Sequence, residues 1–222
     1  MMFLNKRRRG LGLLIVCVML LGILATACSN NAGSGEKVIR IGVVGPETGG
    51  SAQLGQAQRN SAQLAVDEIN ANKSAGDWKL EIYFEDDEGN PTKSSSATNK
   101  LIQEKKVHIL IAAINSSATL ADMVVTERAN IVQITAGSTG ASITEQGNEW
   151  IFRTAANDSL QADALVKYAK EDLGMKKMAT FTAADDYGQS GAKLLKNAAE
   201  KYGVELVSEQ IYNNGDKDFK PQ

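Results

Sequence analysis

Cysteine, histidine and aromatic residues are scarce in this 222-residue chain, and each shortage excludes a class of protein. The chain has two cysteines, and Cys17 lies inside an apolar N-terminal run, so no disulfide framework is expected. His108 is the single histidine and stands at the start of a predicted strand, where we interpret it as structural. A Ser-His-Asp triad would have to use His108, and histidine–cysteine zinc sites are excluded by count.

Surfaces and motifs for nucleic acids, nucleotides and metals are also lacking. Aromatic residues make up 5% and the net charge is −2, which excludes a stacking platform or a basic nucleic-acid surface. Gly45 and Gly50 have Walker-A spacing, but Ser51 follows where that motif requires lysine. The acidic runs at 85–88 and 185–186 lack the spacing of a calcium loop. We therefore expect no cofactor, no metal and no catalytic set, and hence a protein that is not an enzyme.

The N-terminus has the pattern of an export signal. Basic residues at 6–9 precede an apolar run at 11–24, which is short for a membrane span. Small residues then lead to Cys28 and resemble a bacterial lipobox, although Ala25 stands where leucine is usual. We interpret residues 1–27 as a lipoprotein signal peptide and residues 28–37 as a flexible tether. An ordinary signal peptide cut nearby, or an uncleaved anchor, is the alternative.

Strand and helix patterns alternate through the rest of the chain. Strands are predicted at 38–44, 80–84, 107–114, 131–134, 150–154, 177–182 and 204–212. The intervening helical patterns predict an α/β fold with a mostly parallel, doubly wound sheet. We place an N-terminal lobe at 38–153 and a partial second lobe at 154–222. The second lobe would leave sheet edges uncovered, so a C-terminally truncated two-lobed protein is expected.

Local signals refine this prediction. Glu47 to Gly55 is expected to be a glycine-rich loop, and Pro91 suits the first position of a helix. Ser116 or Ser117 is expected to cap the next helix. Its apolar inner face would use three residues: Leu120, Val124 and Ala129.

Two clusters of small polar residues follow neighbouring strands. Ser116 and Ser117 come after the third strand, and Gly137, Ser138 and Thr139 come after the fourth. Ligands bind at this edge of open α/β sheets, and a helix start offers free N–H groups to a carboxylate. Helix capping and turn formation would explain either cluster alone. Both clusters at one edge favour a binding site for a small zwitterion.

The chain from Val38 onward resembles the solute-binding lipoproteins of branched-chain amino acid (amino acid/amide) ABC importers. The resemblance rests on four segments in order: Ile41-Gly42-Val43 with Gly45-Pro46 and Gly49, Ala65-Val66-Asp67-Glu68-Ile69-Asn70, Phe152-Arg153-Thr154, and Asp186-Tyr187-Gly188. It implies the type I periplasmic-binding-protein fold, with parallel sheets in two lobes. The ammonium-binding acidic residue of that family falls in a later part of the second lobe, which this sequence does not contain.

The resemblance also implies roles for individual residues. Ser116 and Thr139 would place hydroxyls on the ligand head group, and Gly137 would contribute its backbone. Tyr187 would reach the cleft from the second lobe, and Leu54 stands where relatives often carry an aromatic.

The expected ligand is a branched-chain amino acid, or a related amino acid or amide. The expected partners are an ABC permease and the membrane, through lipidated Cys28, with no nucleic acid. We expect a monomer exported to the outer face of the cell membrane, or to the periplasm. The ligand-sensing module of a signalling receptor is the alternative function.

Overall fold

Strands and helices alternate along the chain in the computed structural model, which describes residues 36–220. The strands are β1 (Lys37–Gly45), β2 (Trp78–Asp86), β3 (Ile109–Ile111), β4 (Val132–Thr135), β5 (Ile151–Arg153), β6 (Lys177–Ala183) and β7 (Glu205–Tyr212). The helices are α1 (Ala52–Asn72), α2 (Pro91–Lys100, extended by a π-helical turn at Leu101–Lys105), α3 (Ser116–Ala129), α4 (Ser142–Glu145), α5 (Asp158–Glu171) and α6 (Asp186–Tyr202). The predicted α/β class is confirmed.

The strands form two sheets. The larger sheet has the order β2-β1-β3-β4-β5, and β6 pairs with β7 in the smaller one. The β1–β3, β3–β4 and β4–β5 pairs are parallel, with Ile109 opposite both Ile41 and Val132. The strand order reverses between β1 and β3, and such a switch point opens a crevice at the carboxyl ends of the strands. The predicted parallel, doubly wound sheet is therefore confirmed.

Apolar side chains from the sheet and α2 form the main core. Val44, Leu101 and Leu110 are fully buried in one cluster, which also contains Val107 and Ala118. Strands covered by helices on their faces carry such continuous apolar runs, because neither face meets water. This core holds β1 and β3 in register, and it thereby fixes the loops that follow them.

The start of α2 follows the expected chemistry, whereas the start of α1 departs from the prediction. The Asn90 side chain accepts hydrogen bonds from two backbone amides, and Pro91 is the first residue of α2, as predicted. The loop predicted to reach Gly55 ends earlier, because α1 begins at Ala52. Gly55 is buried, and a Cβ there would lie 2.1 Å from the carbonyl oxygen of Pro46. Glycine at this position allows close packing of the helix on the loop before it.

The start and inner face of α3 differ from the prediction. Ser116 and Ser117 lie in the first turn of the helix, and Asn115 occupies the cap position without a side-chain cap bond. Val124, expected inside, is 50% exposed. The buried face is instead rich in polar residues: Ser116, Ser117, Ala118, Thr119, Asp122, Met123 and Thr126. Hydrogen bonds inside the protein satisfy several of these groups, so apolar spacing does not identify the face.

Two carboxyl groups are buried between the start of α2 and the middle of α3. Asp87 and Asp122 are both 0% exposed. The Ser94 hydroxyl oxygen lies 2.8 Å from Asp122 Oδ2 and 3.1 Å from Asp87 Oδ2, and the Thr98 hydroxyl donates to Asp122 Oδ1 at 3.0 Å. The Gly89 amide donates to Asp87 Oδ1 at 2.7 Å. The acidic run at 85–88 thus contributes one residue, Asp87, to the interior.

The smaller sheet is covered by α5 and α6, which surround a second apolar cluster. Val166, Ala198, Ala199 and Val204 are its buried members. After β7, Phe219 packs at right angles to Phe181, with ring centroids 5.5 Å apart. The larger sheet ends at β5, which agrees with the predicted lobe boundary near residue 153, although the boundary itself stays a prediction.

The predicted signal peptide, the tether up to residue 35 and the lipidation site at Cys28 lie outside the described residues. Within residues 36–220, no helix is both long and apolar enough to cross a membrane. From Val38 onward the described residues form one compact unit.

Candidate functional site

The loops after β3 and β4 lie side by side, because these two strands are parallel neighbours. The Thr135 hydroxyl donates to the Ala113 carbonyl at 2.8 Å, and the Ser138 hydroxyl donates to the Ile114 carbonyl at 3.0 Å. The Gly140 amide donates to Ser116 Oγ at 3.2 Å. These bonds join the two polar clusters that the sequence singles out into one rigid edge.

A cavity of about 230 Å³ opens at this edge. It is lined by Ser51, Leu54, Ile114, Asn115, Ser116, Gly137, Thr139, Asp185 and Tyr187. The lining residues come from the loops after β1, β3, β4 and β6 and from the first turns of α1, α3 and α6. The cavity therefore lies at the switch point between β1 and β3, where open α/β sheets bind ligands.

Five of the seven sequence-predicted site residues line this cavity: Leu54, Ser116, Gly137, Thr139 and Tyr187. The other two, Ser117 and Ser138, are not among its lining residues. Ser138 is buried, and its hydroxyl contacts Thr119 Oγ1 at 2.7 Å, which holds the β4 loop against α3. Ser138 thus stabilises the loop after β4 and does not form part of the cavity wall.

Ser116 has the geometry of a donor to an anion. Its oxygen accepts from the Gly140 amide, and its own hydrogen has no acceptor among the residues that the structure describes. The first intrahelical bond of α3 runs from the Thr119 amide to the Asn115 carbonyl, so the amides of residues 116–118 have no partner within the helix. A hydroxyl hydrogen and a positive helix end therefore face the cavity together.

Arg153 holds the β4 loop from the opposite side. Its Nη1 donates to the carbonyls of Thr139 and Gly140 at 3.2 and 2.7 Å, and its Nη2 donates to Thr144 Oγ1 at 2.6 Å. The rigid guanidinium fork suits this triple contact. In the sequence, Arg153 stands out only as a member of the segment Phe152-Arg153-Thr154. Its position in the sequence gives no indication that it holds the loop after β4.

A mainly apolar cavity adjoins the polar one on the side away from the hydroxyl groups. Leu54, Ile114 and Gly137 also line a second cavity of about 580 Å³, together with Ala57, Gln58, Ser61, Ala62, Ile111 and Ala136. Leu54 is 60% exposed, so a side chain bound there would cover it. The small polar cavity therefore adjoins an aliphatic surface.

A further cavity of about 580 Å³ lies between α5, α6 and the β6–β7 sheet, with Tyr187 at its margin. Its wall is mainly apolar and includes Leu165, Phe181, Leu195 and Tyr212. It does not contain the paired strand-end loops or the start of α3. The 230 Å³ cavity has the chemistry of a head-group site, and the larger one does not.

The fold and the cleft define an α/β protein that is built around a small-molecule cavity at the carboxyl ends of its strands. The sequence profile of the family described as "Periplasmic binding protein" matches residues 38–222. The chain belongs to this family, and its fold is that of the type I periplasmic binding proteins.

Individual relatives agree with this assignment. The chain is 32% identical over 201 residues to an "Amino acid binding protein" of Pseudomonas aeruginosa, a match that covers 89% of this chain and 54% of the relative. It is 30% identical over 181 residues to the "Leucine-, isoleucine-, valine-, threonine-, and alanine-binding protein" of the same species, covering 82% and 48%. The chain thus spans about half the length of the curated relatives it matches. These relatives are binding proteins and not enzymes.

Solved structures give the same result. The branched-chain amino acid transporter substrate-binding protein LivJ of Streptococcus pneumoniae, in complex with isoleucine, superposes with a TM-score of 0.75 at 31% identity. The match covers 83% of this chain and 52% of LivJ. The sequence-based recognition of the family is therefore confirmed.

Proposed function

We propose that this chain is the solute-binding component of an ABC importer and binds a branched-chain amino acid, or a related amino acid or amide. The observation that carries the proposal is the 230 Å³ cavity, in which Ser116, Gly137 and Thr139 face Tyr187. This volume is below the roughly 300–1,000 Å³ of pockets for drug-sized ligands, which suits a ligand as small as an amino acid. The names of the relatives support the same class of ligand.

The head group and the side chain of such a ligand would meet different walls. Ser116 and the first-turn amides of α3 would receive the carboxylate through charge-assisted hydrogen bonds. The side chain would extend over Leu54 and Ile114, which belong to both the polar cavity and the adjoining apolar one. Burial of an aliphatic side chain there would add affinity through the hydrophobic effect.

Delivery to a membrane permease follows from the proposed class. The chain would be exported and tethered through lipidated Cys28, and it would act as a monomer. The relatives named above include a transporter component and no signalling receptor, so transport is favoured over sensing.

Isothermal titration calorimetry of the purified chain with leucine, isoleucine, valine and leucinamide tests the proposal. We expect binding of at least one of these ligands, and we expect Ser116→Ala to weaken it about 10- to 100-fold, the typical effect of a lost hydrogen bond to a charged group. Ser117→Ala is the matched control, because this neighbour lies in the same helical turn and does not line the cavity. Absence of binding by the parent chain, or equal losses in the two variants, would contradict the proposal.

A further inference from the structure

We infer that Asp86 is a positioning residue for side-chain selectivity, because it fixes the loop that leads to the aliphatic wall of the site. The inference rests on the proposed function and deepens it. The loop, residues 46–51, joins β1 to α1. It leads to Ser51 and Leu54, which line the 230 Å³ cavity, and Leu54 also lines the adjoining apolar cavity. Asp86 is not among the lining residues of either cavity, so any effect of Asp86 on a ligand acts through the loop.

The Asp86 carboxylate, at the end of β2, accepts three hydrogen bonds from this loop. Its Oδ1 accepts from the Glu47 amide at 2.9 Å and from the Thr48 amide at 3.4 Å, and its Oδ2 accepts from the Thr48 hydroxyl at 2.7 Å. The Glu88 amide donates to Oδ1 at 2.9 Å and holds the carboxylate in the turn after β2. Desolvation acts to raise the pKa of Asp86, but the hydrogen bonds from Thr48, Glu88 and Glu47 outweigh it and lower the pKa below 3.8. The carboxylate is therefore ionised at neutral pH and accepts through both oxygens.

The middle of the loop has little to restrain it. An added Cβ at Gly49, where φ is +83°, would lie 2.9 Å from the carbonyl oxygen of Glu88, so the loop passes close to the turn after β2. An added Cβ at Gly50 would have no other atom within 4 Å. Two adjacent glycines give the unrestrained backbone many conformations, so contacts from outside the loop must select one of them.

These outside contacts hold the two ends of the loop separately. Asn115 Nδ2 donates to Ser51 Oγ at 3.2 Å and ties the end of the loop to the start of α3. Arg59 on α1 forms an ion pair with the Glu47 side chain. Asp86 ties the first half of the loop to β2. Loss of Asp86 would therefore loosen this wall, whereas the hydroxyl loops after β3 and β4 keep their own hydrogen bonds.

Leucine and alanine distinguish the two parts of the site, because they share a head group and differ in the size of the aliphatic side chain. We expect Asp86→Ala to lower the leucine affinity about tenfold, the effect of one lost hydrogen bond to a charged group, and to lower the alanine affinity by less. Calorimetry measures both, with alanine titrated in competition with leucine where its own signal is small. Glu85→Ala is the matched control, because Glu85 precedes Asp86 on β2 and pairs with Lys100 instead of the loop.

Thr48 tests the same contact from the side of the loop. Valine has nearly the shape of threonine but cannot donate to Asp86 Oδ2, whereas serine keeps the hydroxyl. We expect Thr48→Val to lower the ratio of leucine affinity to alanine affinity and Thr48→Ser to retain the parent ratio. Thermal unfolding verifies that each variant is folded.

The outcomes separate the inference from the proposed function. If the parent binds leucine, and Asp86→Ala has the same affinity ratio as Glu85→Ala, the positioning role is refuted while amino acid binding stands. Equal losses for leucine and alanine would also refute it, because they would indicate a general loss of structure. If the parent binds neither amino acid, the proposed function fails, and the inference fails with it.

Discussion

Raising the pH from about 5 to about 8 is expected to destabilise the chain through the buried carboxyl of Asp122. The Ser94 hydroxyl has one hydrogen, yet its oxygen lies within 2.8 Å of an Asp122 oxygen and 3.1 Å of an Asp87 oxygen. It can donate to only one of them. If both carboxyls were ionised, the other contact would be repulsive. A proton on one carboxyl converts it into a donor to Ser94 Oγ and satisfies the whole cluster.

The pKa values agree with this hydrogen-bond argument. Burial raises the pKa of Asp122 from 3.8 to about 7, although hydrogen bonds from Ser94 and Thr98 act in the opposite direction. Burial also raises the pKa of Asp87, and the charge of Asp86 raises it further.

The lysines of α2 do not offset the cost of burying the Asp122 carboxyl. Lys93 and Lys100 on α2 form surface ion pairs, with Glu88 and Glu85 respectively. Among the described residues, none of the influences on the Asp122 pKa comes from a cation. Within the described residues, no positive charge therefore lowers the pKa of the Asp122 carboxyl.

The direction and size of the effect follow from linkage. Below about pH 4, Asp122 is protonated in both the folded and the unfolded chain. Between about 4 and 7 the folded chain holds the proton more tightly, so stability is lost as the pH rises through this range and levels off above it. At about 1.4 kcal/mol for each pH unit between 3.8 and about 7, the full loss is about 4 kcal/mol. Raising the pH from about 5 to 8 crosses about two of these pH units, so the loss in that range is about 3 kcal/mol, or about 6–12 °C in the unfolding midpoint of a chain of this size.

Thermal unfolding followed by circular dichroism between about pH 5 and 8 measures this dependence. Asp122→Asn replaces a neutral acid by a neutral amide of similar shape, so we expect a flatter pH profile and, at about pH 8, a variant more stable than the parent. Asp67→Asn, at an exposed position on α1, is the control and should follow the parent. The parent midpoint could instead stay constant or rise over this pH range, with Asp122→Asn following the same profile. That result would refute the proton that Asp87 and Asp122 are inferred to share through Ser94.

Two further predictions concern the core and the β4 loop. Leu101→Ala is expected to lower the free energy of unfolding by about 2–5 kcal/mol because Leu101 is fully buried, whereas Leu64→Ala, at a side chain that is 59% exposed, should have little effect in the same urea titration. Arg153→Lys cannot keep all three donor contacts to the loop, so leucine affinity is expected to fall about tenfold by calorimetry. Arg128→Lys, in the last turn of α3, serves as its control; an Arg153→Lys affinity equal to that of the control would argue against loop support.

Alternation of strand and helix was readable from the sequence because most strands carry β-branched runs and several helix ends carry strong local signals. Asn90 and Pro91 are an example, since a side-chain cap and a fixed φ act within one turn and need no tertiary partner. The strand at 107–114 was predicted too long, because β3 spans only Ile109–Ile111. His108, just before it, accepts a hydrogen bond from the Arg40 amide, a structural role of the kind expected.

The burial of polar side chains on α3 could not be predicted from such local sequence signals. Asp122 and Thr126 face inward on α3 because partners on other elements, Thr98 on α2 and Gln133 on β4, satisfy them. A spacing rule based on apolar residues therefore selects Val124, which is exposed. The hydroxyl clusters were located because both follow strands, but their sequence does not distinguish Ser116 in the cavity wall from Ser138 behind it.

The carbonyl oxygen of Thr139 connects the ligand cavity to α5. It accepts from the Asp158 amide at 2.9 Å, at the first turn of α5, and from Arg153 Nη1 at 3.2 Å. The same residue lines the ligand cavity. A displacement of α5 would pull on the peptide unit adjacent to the bound molecule, and occupancy of the cavity would in turn resist that displacement, because such coupling is reciprocal. Hydrogen exchange at the single amide of Asp158 would then register the presence of ligand from outside the cavity.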